Sequence, residues 1–256
     1  MTKPSRHARV LVFAKAPVPG EVKTRLIPAL GAWRAATLQA TLISHTLATT
    51  AQSGLGVELW CHPDCDHPLF STCARRFTIA LHPQDGADLG ARMRHGAESA
   101  LATAPVILIG TDCPDLTAEE LRETSARLEN GNDAVLGPAL DGGYYLLGLN
   151  RIHRWLFDGI SWGSDRVLSE TRQRLHVLGW RWWEAPARRD IDRPGDLAFL
   201  PPRIRDVIDG PRESSRHRDR HPGYPKYWIQ VSEKQSFREN RCVCQDPPRF
   251  GPGAKR

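Results

Sequence analysis

The stretch that most constrains this chain is Pro105-Val106-Ile107-Leu108-Ile109, followed at once by Gly110-Thr111-Asp112-Cys113-Pro114-Asp115-Leu116. Four consecutive branched aliphatic residues closed off by Pro and Gly do not alternate, as a half-solvated strand would. They read as a strand buried on both faces, in a parallel sheet. Open sheets of that kind bind ligands in the crevice beyond the carboxyl ends of their strands. Asp112 falls there, and a carboxylate at such a place is a candidate to hold a metal ion and, through it, a phosphate.

The rest of the chain repeats the alternation of strand and helix signals. Residues 9–14 are an apolar run ending in a Pro/Gly loop, 32–51 carry helical spacing (Leu38, Leu42, Leu47), and 57–61 and 77–81 are short strand candidates. Residues 89–102 place Met93, Ala97 and Leu101 on one helical face. Thr117-Ala118-Glu119-Glu120 opens a helix to about 128 as a capping box. Strands follow at 134–136 and 144–149, helices at 152–157 and 164–178, a strand at 180–184, and a last helix near Pro194. Alternating strands and helices make βαβ units and a mainly parallel sheet between helical layers.

The length of 256 residues suffices for one domain with a full core. No apolar run approaches the ~20 residues that cross a bilayer, and 10–14 is too short for a signal-peptide core; a cytoplasmic protein is expected. The net charge of +6 belongs to one end: residues 211–256 hold 11 Lys/Arg and 5 Asp/Glu, whereas 1–210 hold 24 of each. A neutral body argues against nucleic acid as a partner of the domain. The sequence thus divides into a domain at 1–210 and a basic tail at 211–256, whose polar, aperiodic texture is that of a disordered segment. Cys61, Cys65 and Cys73 lie near His62 and His67, but their spacing fits no zinc pattern, so reduced thiols in a loop are expected; Cys242 and Cys244 fall in the tail.

Four further segments carry candidate chemistry. Phe13-Ala14-Lys15-Ala16-Pro17-Val18-Pro19-Gly20-Glu21-Val22-Lys23-Thr24-Arg25-Leu26 brings three cations, Lys15, Lys23 and Arg25, into one loop with Gly20, a build that holds phosphates through backbone N–H groups and fixed charge. It is not a P-loop. Gln84-Asp85-Gly86-Ala87-Asp88-Leu89-Gly90-Ala91-Arg92-Met93 has two compatible readings. Asp88 can cap a helix, and Gly86, Asp88 and Arg92 can form a second wall of a nucleotide pocket. Asp141-Gly142-Gly143-Tyr144-Tyr145 is a tight turn or a place where the backbone approaches a ligand, with Asp141 a candidate catalytic group. In Arg189-Asp190-Ile191-Asp192-Arg193-Pro194-Gly195-Asp196-Leu197, Asp192 is either a helix cap or a second carboxylate on the cation of Asp112. Asp115 reads as a helix N-terminal charge.

Segments 13–26, 84–93, 110–116, 141–149 and 160–167 together, in order and spacing, resemble a bacterial family of glycosyltransferase-A-like proteins, within the nucleotide-diphospho-sugar transferase superfamily. Some of its members are assigned to arsenosugar biosynthesis as glycosyltransferases. The resemblance spans roughly residues 9–200. It implies a Rossmann-like three-layer α/β/α sandwich of glycosyltransferase-A type. It also implies Mg²⁺ or Mn²⁺ at Asp112, a second metal carboxylate at Asp192, and nucleotide phosphates at Lys15, Gly20, Lys23 and Arg25. One departure is plain: the Asp-x-Asp of many glycosyltransferases is absent, because Pro114 stands where the second acid would be.

The expected function is metal-dependent transfer of a sugar from a nucleotide-diphosphate donor to a small acceptor, with Asp112 and Asp141 the catalytic candidates. The alternatives are a nucleotidyltransferase joining a nucleoside triphosphate to a phosphorylated small molecule, with pyrophosphate released, and a non-catalytic nucleotide-binding module.

Overall fold

Seven strands form one sheet in the computed structural model, which describes residues 7–209. The expected tail at 211–256, with Cys242 and Cys244, lies outside the described residues. In chain order the elements are β1 (Arg9–Lys15), a short α1 (Ile27–Leu30), α2 (Ala32–Gln52), β2 (Gly56–His62), α3 (Pro68–Phe77), β3 (Ala80–Pro83), α4 (Leu89–Leu101), β4 (Val106–Ile109) and α5 (Ala118–Glu129). Then come β5 (Ala134–Pro138), β6 (Tyr144–Leu149), α6 (Val167–Val177), β7 (Trp182–Glu184) and α7 (Pro202–Asp209).

The sheet order is β3-β2-β1-β4-β6-β5-β7. All neighbours run parallel except β6, which is antiparallel to both β4 and β5. The strands are buried because helices cover both faces, and β4 shows it best: all four of its residues are at most 2% exposed. Burying each such side chain is worth about 1.5–3 kcal/mol.

Two apolar clusters are packed with the sheet and its helices. Leu11 faces a cluster with Met93 and Ala97 of α4, Leu168 and Leu175 of α6, and Leu156 and Phe157. On the other side Leu38 and Leu42 of α2 pack with Ile204 and Ile208 of α7 and with Leu26 and Ile191. The fold is therefore the three-layer α/β/α sandwich expected.

Four local expectations shift. The strand expected at 77–81 begins at Ala80, because Phe77 ends a helix. That helix, α3, occupies the segment read as a thiol-bearing loop. It starts at Pro68, capped by His67, whose Nδ1 accepts from the Leu69 N–H at 3.1 Å. Its Cys73 packs inward, and burial pushes the thiol up to about 11. The helix expected at 152–157 is a single 3-10 turn, Arg154–Leu156, and the one near Pro194 is also 3-10, Pro194–Phe199. Both carry helical spacing over too few residues to pay the nucleation cost of an α-helix.

Among the described residues, no helix is long and apolar enough to cross a membrane.

Candidate active site

The chain leaves β1 toward β2 and β3 on one side and returns to place β4 on the other, so the sheet order reverses between β1 and β4. The crevice beyond the carboxyl ends of these two strands is where an open α/β sheet binds ligands. Lys15 ends β1, and Asp112 stands three residues past β4. The loop carrying Asp112 is pinned from α2. Gln39 Nε2 donates to Thr111 Oγ1 at 3.3 Å, and His45 Nε2 lies 2.9 Å from the Pro114 carbonyl oxygen.

Lys23 is the centre of the site. Its side chain is only 3% exposed, and its ammonium sits 2.7 Å from Asp112 Oδ1 while donating to the Ile191 carbonyl at 2.6 Å. Its backbone is left-handed, φ 48°, which turns the chain so that the side chain points inward. The Ile191 N–H in turn donates to the Asp112 carbonyl at 2.8 Å. One buried cation and one backbone bond thus hold three remote segments together: the loop after β1, the loop after β4 and the stretch at 189–192. Arg25, one turn further, pairs with Asp192.

The stretch at 185–192 reaches this place because it continues the edge of the sheet. Arg188 pairs with Ala139 as an isolated parallel bridge, and its guanidinium binds Glu120 Oε1 through Nε at 2.9 Å and Nη2 at 2.8 Å. Glu120 also completes the Thr117 capping box, so the start of α5 anchors the strap. Asp192 is not the cap of the turn that follows. Asp196 Oδ2 accepts from the Arg193 N–H at 2.8 Å and the Asp192 N–H at 3.3 Å. The Asp192 carboxylate is left to Arg25 and the cleft.

Three clefts adjoin here. One of about 310 Å³ contains Lys15, Lys23, His62, Arg92, Asp112 and Asp192. A second, about 240 Å³, runs from Asp112 across Asp141 and Asp190 to Tyr144 and Trp162. The third, about 480 Å³, lies over Arg25, Asp141, Asp190 and Asp192. Lys15, Lys23, Arg25, Arg92, Asp112, Asp141 and Asp192 are therefore brought together, as the sequence reading requires. Gly20, Gly86 and Asp88 line none of these three clefts. Asp88 caps α4, accepting from the Ala91 N–H at 2.8 Å. Asp141 serves its turn as well as the clefts, its Oδ1 accepting from the Gly143 N–H at 2.9 Å.

Sequence reasoning missed Asp190. Its Oδ1 is buried without a hydrogen-bond partner, and burial, with Asp112 and Asp141 nearby, pushes its carboxyl up to about 7 against the opposing pull of Lys23. A signal was available: in the extended stretch Asp190-Ile191-Asp192 the side chains alternate, so a buried Ile191 puts both acids on the opposite side, toward the clefts.

The Gly pair of the turn after Asp141 also has a tertiary reason. Gly142 has φ +92°, and a Cβ there would stand 2.2 Å from the Asp165 carbonyl oxygen, while its own carbonyl accepts from the Leu168 N–H at 2.9 Å. Gly142→Ala is expected to cost about 2–3 kcal/mol through strain and overpacking. A urea melt reads this as a lower midpoint at unchanged slope.

The donor set suits a hard divalent cation. The charged side chains shared between two of the clefts are all carboxylates, Asp112, Asp141, Asp190 and Asp192, and Mg²⁺ or Mn²⁺ needs only one or two protein carboxylates when phosphate oxygens and water complete its shell. Among the described residues, no three His, Cys, Asp or Glu side chains cage an ion by themselves.

Known proteins bear on this geometry. Residues 46–164 match a family described as "uncharacterized protein conserved in bacteria (DUF2064)". A candidate nucleotide-diphospho-sugar transferase from Desulfovibrio desulfuricans G20 is 32% identical over 73% of this chain and 82% of its own, with a TM-score of 0.67. The chain belongs to this bacterial glycosyltransferase-A-like family. At 10% identity the likeness is of fold alone: a 4-diphosphocytidyl-2C-methyl-D-erythritol synthase from Anaerococcus prevotii DSM 20548 aligns with 80% of this chain and all of its own at a TM-score of 0.52. No curated protein matches the chain. The five segments that carry the resemblance border these adjoining clefts, segment 84–93 through Gln84, Leu89, Arg92 and Met93.

Proposed function

We propose that this protein is a transferase that takes a nucleotide-diphosphate sugar as donor and passes the sugar to a hydroxyl of a small acceptor, with Mg²⁺ or Mn²⁺ as cofactor. Residues 1–210 are the catalytic unit in this reading, and 211–256 an appended basic tail. The observation that carries it is the clamp of Lys23 on Asp112 and Ile191, which sets two carboxylates remote in sequence, Asp112 and Asp192, beside a cationic cleft at the β1/β4 switch point. The kinship with a candidate nucleotide-diphospho-sugar transferase supports the same class of donor.

Lys15 and Arg92 line the cleft where a diphosphate would lie, and their charge is screened less there than in open water. Asp112 and Asp192 would hold the divalent cation together with the diphosphate oxygens. Such a cation supplies Lewis-acid stabilisation of the charge that develops on the leaving diphosphate. Lys23 keeps the Asp112 loop in place and adds fixed positive charge behind it, so little reorganisation is needed as the bond to the sugar breaks. Asp141, shared by the two clefts on the far side of Asp112, orients the acceptor hydroxyl and receives its proton.

A thermal-shift panel of nucleotides and nucleotide sugars, with and without Mn²⁺, tests the reading. A ligand specific for the folded state raises stability by RT ln(1 + [L]/Kd), about 2.7 kcal/mol at a hundredfold excess over Kd. At least one nucleotide sugar is expected to shift the melting temperature, and more with Mn²⁺. A panel silent throughout, or one unaffected by metal, would overturn it. Pro114, standing where a second acid would be, favours nucleotidyl transfer as the second reading. Products separate the two: a nucleoside diphosphate marks sugar transfer, and pyrophosphate released from a triphosphate marks nucleotidyl transfer.

A further inference from the structure

We infer that the aromatic cleft beside Asp112 takes an uncharged, hydroxyl-bearing ring and rejects a phosphorylated one. This rests on the transferase reading of the neighbouring cationic cleft and names the chemistry of the group that meets it.

The wall of this cleft is built by three segments that meet only in the fold. Trp162 packs against the start of α4, so closely that a Cβ on Gly90 would fall 2.2 Å from its indole nitrogen, and that nitrogen donates to the Phe157 carbonyl at 3.3 Å. The Tyr144 ring meets Trp162 edge-on at 6.3 Å between centroids. Phe13 and Met93 complete an apolar floor, and Leu89 stands at the rim. A cleft of about 240 Å³ has room for one ring and not for a nucleoside diphosphate, which leaves the nucleotide to the cationic cleft. Aromatic faces of this kind stack on the C–H faces of a ring and gain little from a phosphate.

The polar groups point the same way. Asp112, Asp141 and Asp190 line the cleft, and among the described residues no Lys, Arg or His does. Lys23 answers Asp112 from the opposite side, and the carboxyl groups of Asp141 and Asp190 face the ligand. Two polar atoms in this wall are buried without partners: Asp190 Oδ1, an acceptor, and the Tyr144 hydroxyl, a donor. Hydroxyl groups on a ring satisfy both. A phosphate dianion would satisfy the tyrosine but find no cation lining the cleft, and it would face the Asp141 carboxylate. The ring has two sources, the sugar of the donor or the acceptor itself, and the chemistry is the same for both.

Saturation-transfer NMR on the full chain, with phenyl β-D-glucopyranoside and its 6-phosphate as probes, tests this. The neutral glycoside is expected to bind, and the 6-phosphate at least tenfold more weakly. Trp162→Ala is expected to abolish binding of the glycoside. Because Trp162 also packs on α4, a second variant guards the test: Leu89→Lys, at an exposed position on the rim, is expected to raise affinity for the 6-phosphate tenfold or more. Displacement of the glycoside by UDP-glucose and not by UDP assigns the ring to the donor; retention against both assigns it to the acceptor. Equal or tighter binding of the 6-phosphate, binding indifferent to both variants, or no binding of either probe overturns the inference. The nucleotide panel reads the proposed function separately. Ring binding with a silent panel would end the donor reading alone, and a nucleotide response with preference for the phosphorylated ring would end this inference alone.

Discussion

Replacing Lys23 with methionine is expected to loosen the site and the fold together. The side chain is buried, and its ammonium neutralises Asp112 and satisfies the Ile191 carbonyl. Methionine fills a similar volume but leaves both groups without their partner. A buried group stripped of its hydrogen bond costs about 1–3 kcal/mol, and more when charged. Asp112 is 42% exposed, so water recovers part of the loss on that side. A destabilisation of about 2 kcal/mol in urea melts is the expected size. The functional effect is larger: without the clamp, the loop at 110–116 and the stretch at 189–192 keep the Ile191 N–H bond to the Asp112 carbonyl but lose the ammonium between them, and the metal-dependent thermal shift with nucleotide sugar should vanish. Lys23→Arg keeps the charge but not the compact ammonium, and should retain stability better than ligand response. A methionine variant with parental stability and parental shifts would mean that the clamp holds nothing together.

Asp112→Asn isolates charge from shape. The amide keeps a hydrogen-bonding oxygen near the buried Lys23 ammonium, which also retains the Ile191 carbonyl, so the fold is expected to survive at a cost of about 1 kcal/mol. The carboxylate is lost as a cation ligand. The Mn²⁺-dependent part of the thermal shift should disappear while any metal-independent nucleotide shift remains, and turnover should fall by about 10²–10³, the loss seen when one preorganised electrostatic group is removed from an active site. Full activity with an unchanged Mn²⁺ response would exclude Asp112 from the metal site. The contrast between the variants is itself informative: Lys23→Met lowers both stability and binding, whereas Asp112→Asn lowers only the metal-linked part.

Much of this was legible in the chain. Val106-Ile107-Leu108-Ile109 announced a strand buried on both faces, and all four residues are buried. Thr117 and Glu120 announced a capping box, and both of its hydrogen bonds are present. These signals are local: the residues that decide the conformation are neighbours in sequence. The 61–73 region failed for the opposite reason. Cysteine and histidine drew attention as chemistry, while the amphipathic run of Leu69, Phe70 and Cys73 was short, and its burial against α2 is a tertiary fact. Within the site, Lys15 and Asp112 stood out because they stand at or just past the end of a strand. Asp190 did not, because its orphaned oxygen and raised carboxyl come from what surrounds it rather than from its neighbours in the chain.

By itself the amino-acid order determined the alternation of strands and helices, the sandwich class, and the cations and acids on loops after strand ends. Periodicity, capping and turn chemistry act over a few residues and are written there directly. Only the tertiary structure decided that β4 inserts beside β1, that Arg188 and Glu120 carry the 185–192 strap across to the Asp112 loop, and that Lys23 is sealed between them. Those outcomes depend on pairings between segments up to about 170 residues apart, whose free energy comes from burial and desolvation, and neither quantity exists until the chain has folded.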